Sequence, residues 1–203
     1  MLTIENLSCT RSDRLIFSGL GFSLQSGALL LLKGPNGVGK TTLIRMIAGL
    51  LPAEQGSITW NNQPTRDNAE FKRELMYIGH KSAVKADSTV EENLRFWAKI
   101  YNTELLIPAA LKYFDLTKFK DAPAGQLSAG WQRRVALARL ILAPSKLWLL
   151  DEPTNFLDEE AVILTASLIE SRVTQGGIVI AASHTMSSAI ASHTLWVEDF
   201  SHV

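Results

Sequence analysis

Cysteine is almost missing from this chain: Cys9 is the only one among 203 residues. An internal disulfide and a cysteine-built metal cage are therefore excluded, and Cys9 reads as a small structural thiol. Long apolar runs are missing too. The longest, residues 28–32 and 178–182, extend over five residues, against the roughly 20 that a membrane-spanning helix needs. The opening Met1-Leu2-Thr3-Ile4-Glu5 has no basic patch followed by an apolar stretch, so no secretory signal is expected and the chain is expected to stay in the cytosol. Neither sign of charge prevails, since 20 Lys and Arg face 20 Asp and Glu. No overall basic field argues for a nucleic-acid partner. Repeats, low-complexity tracts and long linkers are absent, and the length suits one domain over residues 1–203.

What is present alternates. Strand-like segments fall at residues 2–7, 21–24 and 28–33, then a helix at 41–50, then strands at 57–60 and 76–79. Residues 89–143 are more helical. After them come a strand at 147–151, a helix at 159–174, a strand at 178–183, a helix near 186–191 and a strand at 194–197. Gly176-Gly177 suits a helix cap and turn. All-apolar strands alternating with helices predict an α/β fold with a mainly parallel sheet covered on both faces, into which 89–143 is inserted as a helical subdomain.

The chemistry begins at residues 34–42, G-P-N-G-V-G-K-T-T, of the form G-x-x-x-x-G-K-[ST], between a strand and a helix. Gly34, Gly37 and Gly39 let the backbone of Gly34, Pro35, Asn36, Gly37, Val38 and Gly39 turn successive N–H groups toward phosphate oxygens. The helix adds its positive N-terminal end. Lys40 supplies a cation for the outer phosphates, the Thr41 hydroxyl suits magnesium, and Thr42 suits the α phosphate. Asp151 and Glu152 close an apolar run, at the strand end where open α/β sheets bind ligands. There Asp151 suits magnesium through water and Glu152 suits the attacking water of a phosphoryl transfer. His184 closes the next apolar strand and is placed to reach the γ phosphate or that water. Ser128 is a natural N-cap, and with Gly130 it opens a helix that makes a second phosphate site.

Residues 127–132, L-S-A-G-W-Q, taken with the glycine loop and the apolar run ending in Asp151-Glu152-Pro153, resemble the ATP-binding-cassette family. The resemblance implies a P-loop ATPase fold with an N-terminal antiparallel β part, ATP as substrate and Mg2+ as cofactor. It also implies two cassettes meeting head to tail, as a homodimer or with a second cassette subunit. Ser128, Gly130 and Asp158 would then act on the nucleotide held by the partner. Further segments, among them Tyr77-Ile78-Gly79-His80, Glu92-Asn93-Leu94-Arg95-Phe96 and Leu147-Trp148-Leu149-Leu150, resemble the ATP-binding subunits of the haem exporters used in cytochrome c maturation. That likeness implies ATP hydrolysis coupled, through integral membrane subunits, to haem handling from the cytoplasmic face of the inner membrane. A different cassette exporter, or a soluble cassette of iron–sulfur cluster assembly, are the alternative readings. The interval between the two motifs leaves no room for the coiled coil of a DNA-repair cassette.

Three places depart from the family pattern. No glutamine lies between Gln63 and Gln126, and counting back from Glu92-Asn93 puts His80 or Lys81 where the magnesium-touching glutamine usually stands. Arg11 replaces the aromatic that stacks on adenine, and its guanidinium can stack instead. Trp131 stands where many signatures have glutamine, either as a surface aromatic or at a dimer interface. Leu94, Trp97, Ile100 and Tyr101 have helical spacing, for core packing or for docking a membrane subunit's helix. Arg133, Arg134 and Arg139 read as solvated or paired charges, with a dimer role second.

Overall fold

A computed structural model describes residues 1–11, 14–184, 186 and 191–201. Its centre is a five-stranded sheet of β3 (Leu29–Lys33), β6 (Leu75–Ile78), β7 (Leu147–Asp151), β8 (Ile178–Ala182) and β9 (His193–Trp196), in the order β6-β7-β8-β3-β9. Every pairing in it is parallel. β3 is four leucines and a lysine, and the strand's two-residue period sends Leu29 and Leu31 into one core and Leu30 and Leu32 into the other. A strand apolar on both sides must be covered on both sides, because each buried leucine stabilises the fold by about 1.5–3 kcal/mol.

On one face lie helices α3 (Val90–Tyr101), α4 (Ile107–Tyr113), α5 (Ala129–Leu142) and α6 (Glu159–Thr174), through Leu94, Leu111, Val135 and Ile169. The first three form the inserted helical region, with one 3₁₀ turn between α3 and α4 and two between α4 and α5. On the other face lie α1 (Lys40–Ile47) and an antiparallel sheet of β1 (Leu2–Arg11), β2 (Arg14–Leu24), β4 (Gln55–Trp60) and β5 (Gln63–Pro64), in the order β2-β1-β4-β5. Leu2, Phe17, Leu43 and Ile47 fill that second core. Among the described residues no helix is long and apolar enough to cross a membrane.

The helix ends follow their sequence signals. Thr89 and Glu92 form a reciprocal capping box at α3, which closes on Asn102 in the left-handed region (φ 55°). α6 starts on the Asp158 side chain and stops before Gly176 (φ 84°), the turn expected there. Several elements differ from the expectation: β2, expected at 21–24, begins at Arg14, and β5 was not expected. β1 runs on to Arg11 because Asn6 (φ 48°) kinks it and its register slips three times, so that Leu7, Ser8 and Cys9 are buried in succession and the alternation is lost. The bulge sits against Gly56, where a Cβ would be 2.4 Å from the carbonyl oxygens of both Glu5 and Asn6. The short α2 (Ala69–Glu74) buries Phe71 alone and has too little apolar pattern to stand out. The helix expected near 186–191 falls largely outside the described residues.

Candidate functional site

β3 ends and α1 begins around the glycine loop. Gly34 (φ 130°), Gly37 (φ 83°) and Gly39 (φ 115°) all take the conformation that side chains disfavour. At Gly39 space is short as well: a Cβ would lie 2.5 Å from Ile16 Cγ2 on β2. The antiparallel sheet is thus seated directly on the loop. A cavity of about 730 Å³ opens over it, and its walls include Arg11, Asn36, Gly37, Gly39, Lys40, Thr41, Thr42, His80, Glu152 and His184. The fold therefore gathers one group of expected residues from five separate parts of the chain. Of the two candidates for the missing glutamine's place, His80 is in this wall and Lys81 is not. Ile16, Arg45 and Asn155 also line it. Sequence reasoning missed them, and only Arg45, one turn along α1 from Thr41, had a signal in its spacing.

Within the cavity polar groups converge. Lys40 is buried, and its Nζ donates to the carbonyl oxygens of Gly34 (2.8 Å) and Pro35 (3.0 Å) and lies 3.2 Å from His184 Nε2. Burial lowers its pKa, and the nearby charges of Glu152, Asp151 and Glu198 pull it back up. His184 Nε2 is also 2.8 Å from Asn36 Oδ1 and 3.4 Å from Glu152 Oε1. Thr41 Oγ1 donates to Asp151 Oδ1 at 2.9 Å. Asp151 is 1% exposed, and its second oxygen, Oδ2, has no hydrogen-bond partner among the described residues. A buried, unsatisfied carboxylate oxygen beside a threonine hydroxyl suits a hard cation with oxygen ligands. Among the described residues no group of three or more His, Cys, Asp or Glu is arranged to hold a metal ion by itself.

Glu152 adopts φ 49°, rare for a residue with a Cβ, and its N–H donates to the Ala182 carbonyl at 2.9 Å. Arg133, expected as a solvated or paired charge, is 1% exposed. Its guanidinium donates to the carbonyl oxygens of Pro153 (Nε, 3.1 Å), Gly79 (Nη1, 2.7 Å), and Asp151 and Glu152 (Nη2, 2.8 and 2.7 Å). Arg139 is likewise buried and donates to the carbonyls of Ser82 and Ala83. Arg134 is the paired charge: it reaches both Asp158 oxygens at 2.7 Å and the Phe114 carbonyl at 3.2 Å. The reading as solvated or paired charges holds for Arg134, which pairs with Asp158, and is corrected for Arg133 and Arg139, because loop carbonyls supply them with buried acceptors that no sequence pattern displays.

The second group of expected residues lies elsewhere. Ser128, Gly130 and Asp158 are absent from the cavity wall. Ser128 caps α5 by accepting from Trp131 N, at 3.5 Å. Gly130 packs so close to the next loop that a Cβ would lie 2.6 Å from the Phe156 carbonyl oxygen. Asp158 caps α6 through Ala161 N, and that bond together with Arg134 holds its carboxyl below the usual range. Trp131 is half-buried against Phe119 and Arg134, with centroid distances of 4.7 and 4.5 Å. On α3, Leu94 is core while Phe96 and Ile100 are exposed. Phe96 and Trp97 edge a separate cavity of about 660 Å³ that also holds Lys85, Arg95 and Lys99.

The comparisons with known proteins agree with this arrangement. The family model for ABC transporters matches residues 17–155. A cytochrome c biogenesis ATP-binding export protein CcmA of Wolbachia pipientis is 43% identical over 195 residues, 96% of this chain and 94% of that protein. Its counterpart in Aliivibrio fischeri is 44% identical over 187 residues, 91% of this chain and 92% of the relative. Among solved structures, an ABC transporter ATP-binding protein of Pyrococcus furiosus superposes with a TM-score of 0.85 at 25% identity, covering 99% of both chains. A dimeric ATP-binding cassette bound to ADP and Pi shares the fold, with a TM-score of 0.81 at 21% identity over 94% of this chain and 90% of that one. The chain belongs to the ABC transporter family, as an ATP-hydrolysing cassette of the CcmA type.

Proposed function

We propose that this chain, acting as one cassette domain over residues 1–203, hydrolyses ATP to drive haem export in cytochrome c maturation. The observation that carries the ATPase assignment of residues is the pairing of Thr41 with Asp151 below Lys40, beside a Glu152 whose carboxylate faces the same cavity. The N–H groups of residues 36–42 and the Lys40 ammonium bind the phosphates of ATP. Thr41 and Asp151 hold Mg2+, which neutralises phosphate charge when bound. Glu152 orients the attacking water and takes up its proton, while His184 bridges that carboxylate and the γ phosphate. His80 stands where the family has glutamine, and an imidazole there accepts a hydrogen bond from water. Arg11 stacks on the base.

One cassette offers each nucleotide only half of its contacts. Ser128 and Gly130 lie at the start of α5 and away from their own glycine loop, which supports a head-to-tail homodimer in which they and Asp158 serve the partner's ATP. The face carrying Phe96, Trp97 and Ile100 supports docking of integral membrane subunits, CcmB-like and CcmC-like, with the cassette peripheral on the cytoplasmic face of the inner membrane. The name of the Wolbachia relative supports cytochrome c biogenesis as the pathway.

Two experiments test this. Glu152→Gln is expected to keep ATP binding and lose turnover by at least about a hundredfold; undiminished hydrolysis would remove Glu152 from the assignment. Deleting the chain is expected to abolish covalent haem on c-type cytochromes, with rescue by wild type and none by Lys40→Ala. Unchanged cytochromes would leave an ATPase with another cargo, such as a different exporter's substrate or a soluble iron–sulfur assembly partner.

A further inference from the structure

We propose that Arg133 is a positioning residue for the hydrolytic step, setting the backbone that aims Glu152 and His80 at the nucleotide. The inference rests on the reading of Glu152 as the residue that orients water. Its ground is geometric: one guanidinium satisfies three successive carbonyls, of residues 151, 152 and 153, and also that of Gly79, which immediately precedes His80.

Three successive carbonyls can turn toward one point only where the chain leaves the extended conformation, and Glu152 (φ 49°) is where it does. Such a conformation in a residue with a Cβ persists only when its surroundings impose it. Here both ends of the residue are held: Ala182 takes the Glu152 N–H, and Arg133 takes its carbonyl. Gathered carbonyl dipoles repel one another in a place closed to water, and a cation between them removes that repulsion. Arg133 makes no ion pair with a carboxylate among the described residues. All four bonds go to backbone, so the fork acts on main-chain position. Burial presses its pKa down to about 10, which still leaves it charged at neutral pH. Arg133 also sits one turn after Gly130 on α5, so a movement of the α5 N-terminus is passed to Glu152 and Gly79 through one rigid side chain.

The test is a split between binding and turnover. Arg133 sends its hydrogen bonds away from the glycine loop and does not line the cavity over it, so Arg133→Lys and Arg133→Gln are expected to bind a fluorescent ATP analogue within about threefold of wild type. Their kcat should fall about 10–100-fold, the scale for a misplaced catalytic group. Lysine keeps the charge but cannot span four carbonyls, so it is not expected to rescue. Turnover within twofold of wild type in both variants would overturn the proposal. So would loss of analogue binding in step with turnover, in Arg133→Met as in the other two, because that marks a side chain needed only for folding. Glu152→Gln, assayed in parallel, separates the two claims: wild-type hydrolysis there removes the reading on which Arg133 depends, whereas a dead Glu152→Gln beside an active Arg133→Gln removes Arg133 alone.

Discussion

Gly130→Ala sets two effects of opposite sign against each other. Gly130 is the second residue of α5 and its backbone lies outside the left-handed region. On helix propensity alone the alanine would stabilise α5 by about 1 kcal/mol. Its Cβ, however, would lie 2.6 Å from the Phe156 carbonyl oxygen, where an ordinary C···O contact is about 3.3–3.6 Å. Helix and loop must part by several tenths of an ångström, and the obstacle is backbone, with no rotamer to swing aside. Overpacking of this kind costs about 1–3 kcal/mol, so the clash wins and the net loss is at most about 2 kcal/mol, a fall in Tm of a few degrees at this chain length. Function should suffer more. Phe156 belongs to the loop that leads from Glu152 to Asp158, and displacements near 1 Å at such places reduce turnover by up to about a hundredfold. ATP hydrolysis at saturating substrate should therefore fall about 10–100-fold. A variant with a raised Tm and turnover within twofold of wild type would refute the steric argument.

Gly37→Ala isolates backbone strain, since its Cβ would meet nothing within 4 Å but φ is 83°; urea denaturation should register a loss of about 1–2 kcal/mol. Gly56→Ala combines strain (φ 88°) with backbone oxygens at 2.4 Å, and by the same measurement should lose more than Gly37→Ala, about 3 kcal/mol or more. For Asp158, the Ala161 amide and Arg134 depress the folded pKa below 3.8, so its stabilisation is present above the unfolded value and fades as the pH falls through the lower folded value. Asp158→Asn should then be less stable than wild type at neutral pH, with the gap closing in acid titrations below pH 3.8. Lys40→Ala should abolish the upward shift of Tm that ATP produces in the wild type, because the gain from ligand binding follows affinity.

The cassette was legible where chemistry constrains consecutive residues. The glycine loop, the Asp151-Glu152 pair and His184 each terminate or follow a strand apolar on both sides, and both the strand and its ending can be read from four or five letters. Their convergence at one end of the sheet follows from the parallel order of β3, β7 and β8, because parallel strands bring their carboxyl ends to one edge. The wall that β2 contributes to the site was less visible. β2 reaches the loop through Ile16 at Gly39, and nothing in the segment Leu15-Ile16-Phe17 distinguishes a wall of the site from a strand of the core. Bulges around Asn6 and the glycine at position 56 hid the true length of β1, since a register slip breaks the alternation from which a strand is recognised.

Arg133 and Arg139 of α5 were misread for a different reason. A charge on a helix is assigned to water by default because burying it is unfavourable unless every donor finds an acceptor. α5 meets that condition because loops and helix ends reach its arginines with unpaired carbonyls, while its apolar side packs on α3 and α4. Successive helix positions point about 100° apart, so Arg133 meets the carbonyls at the end of β7 while Arg134 meets Phe114 and Asp158. Arg139, six positions after Arg133, meets the carbonyls of Ser82 and Ala83. Loops beside a catalytic site carry carbonyls with no ladder partner, and a guanidinium with five donors is the side chain best able to satisfy several at once. The buried charges of α5 are thus the complement of the loops around the site. Helix position and loop position cannot vary independently, which makes the helix that carries Ser128 and Gly130 mechanically continuous with the residues assigned to hydrolysis.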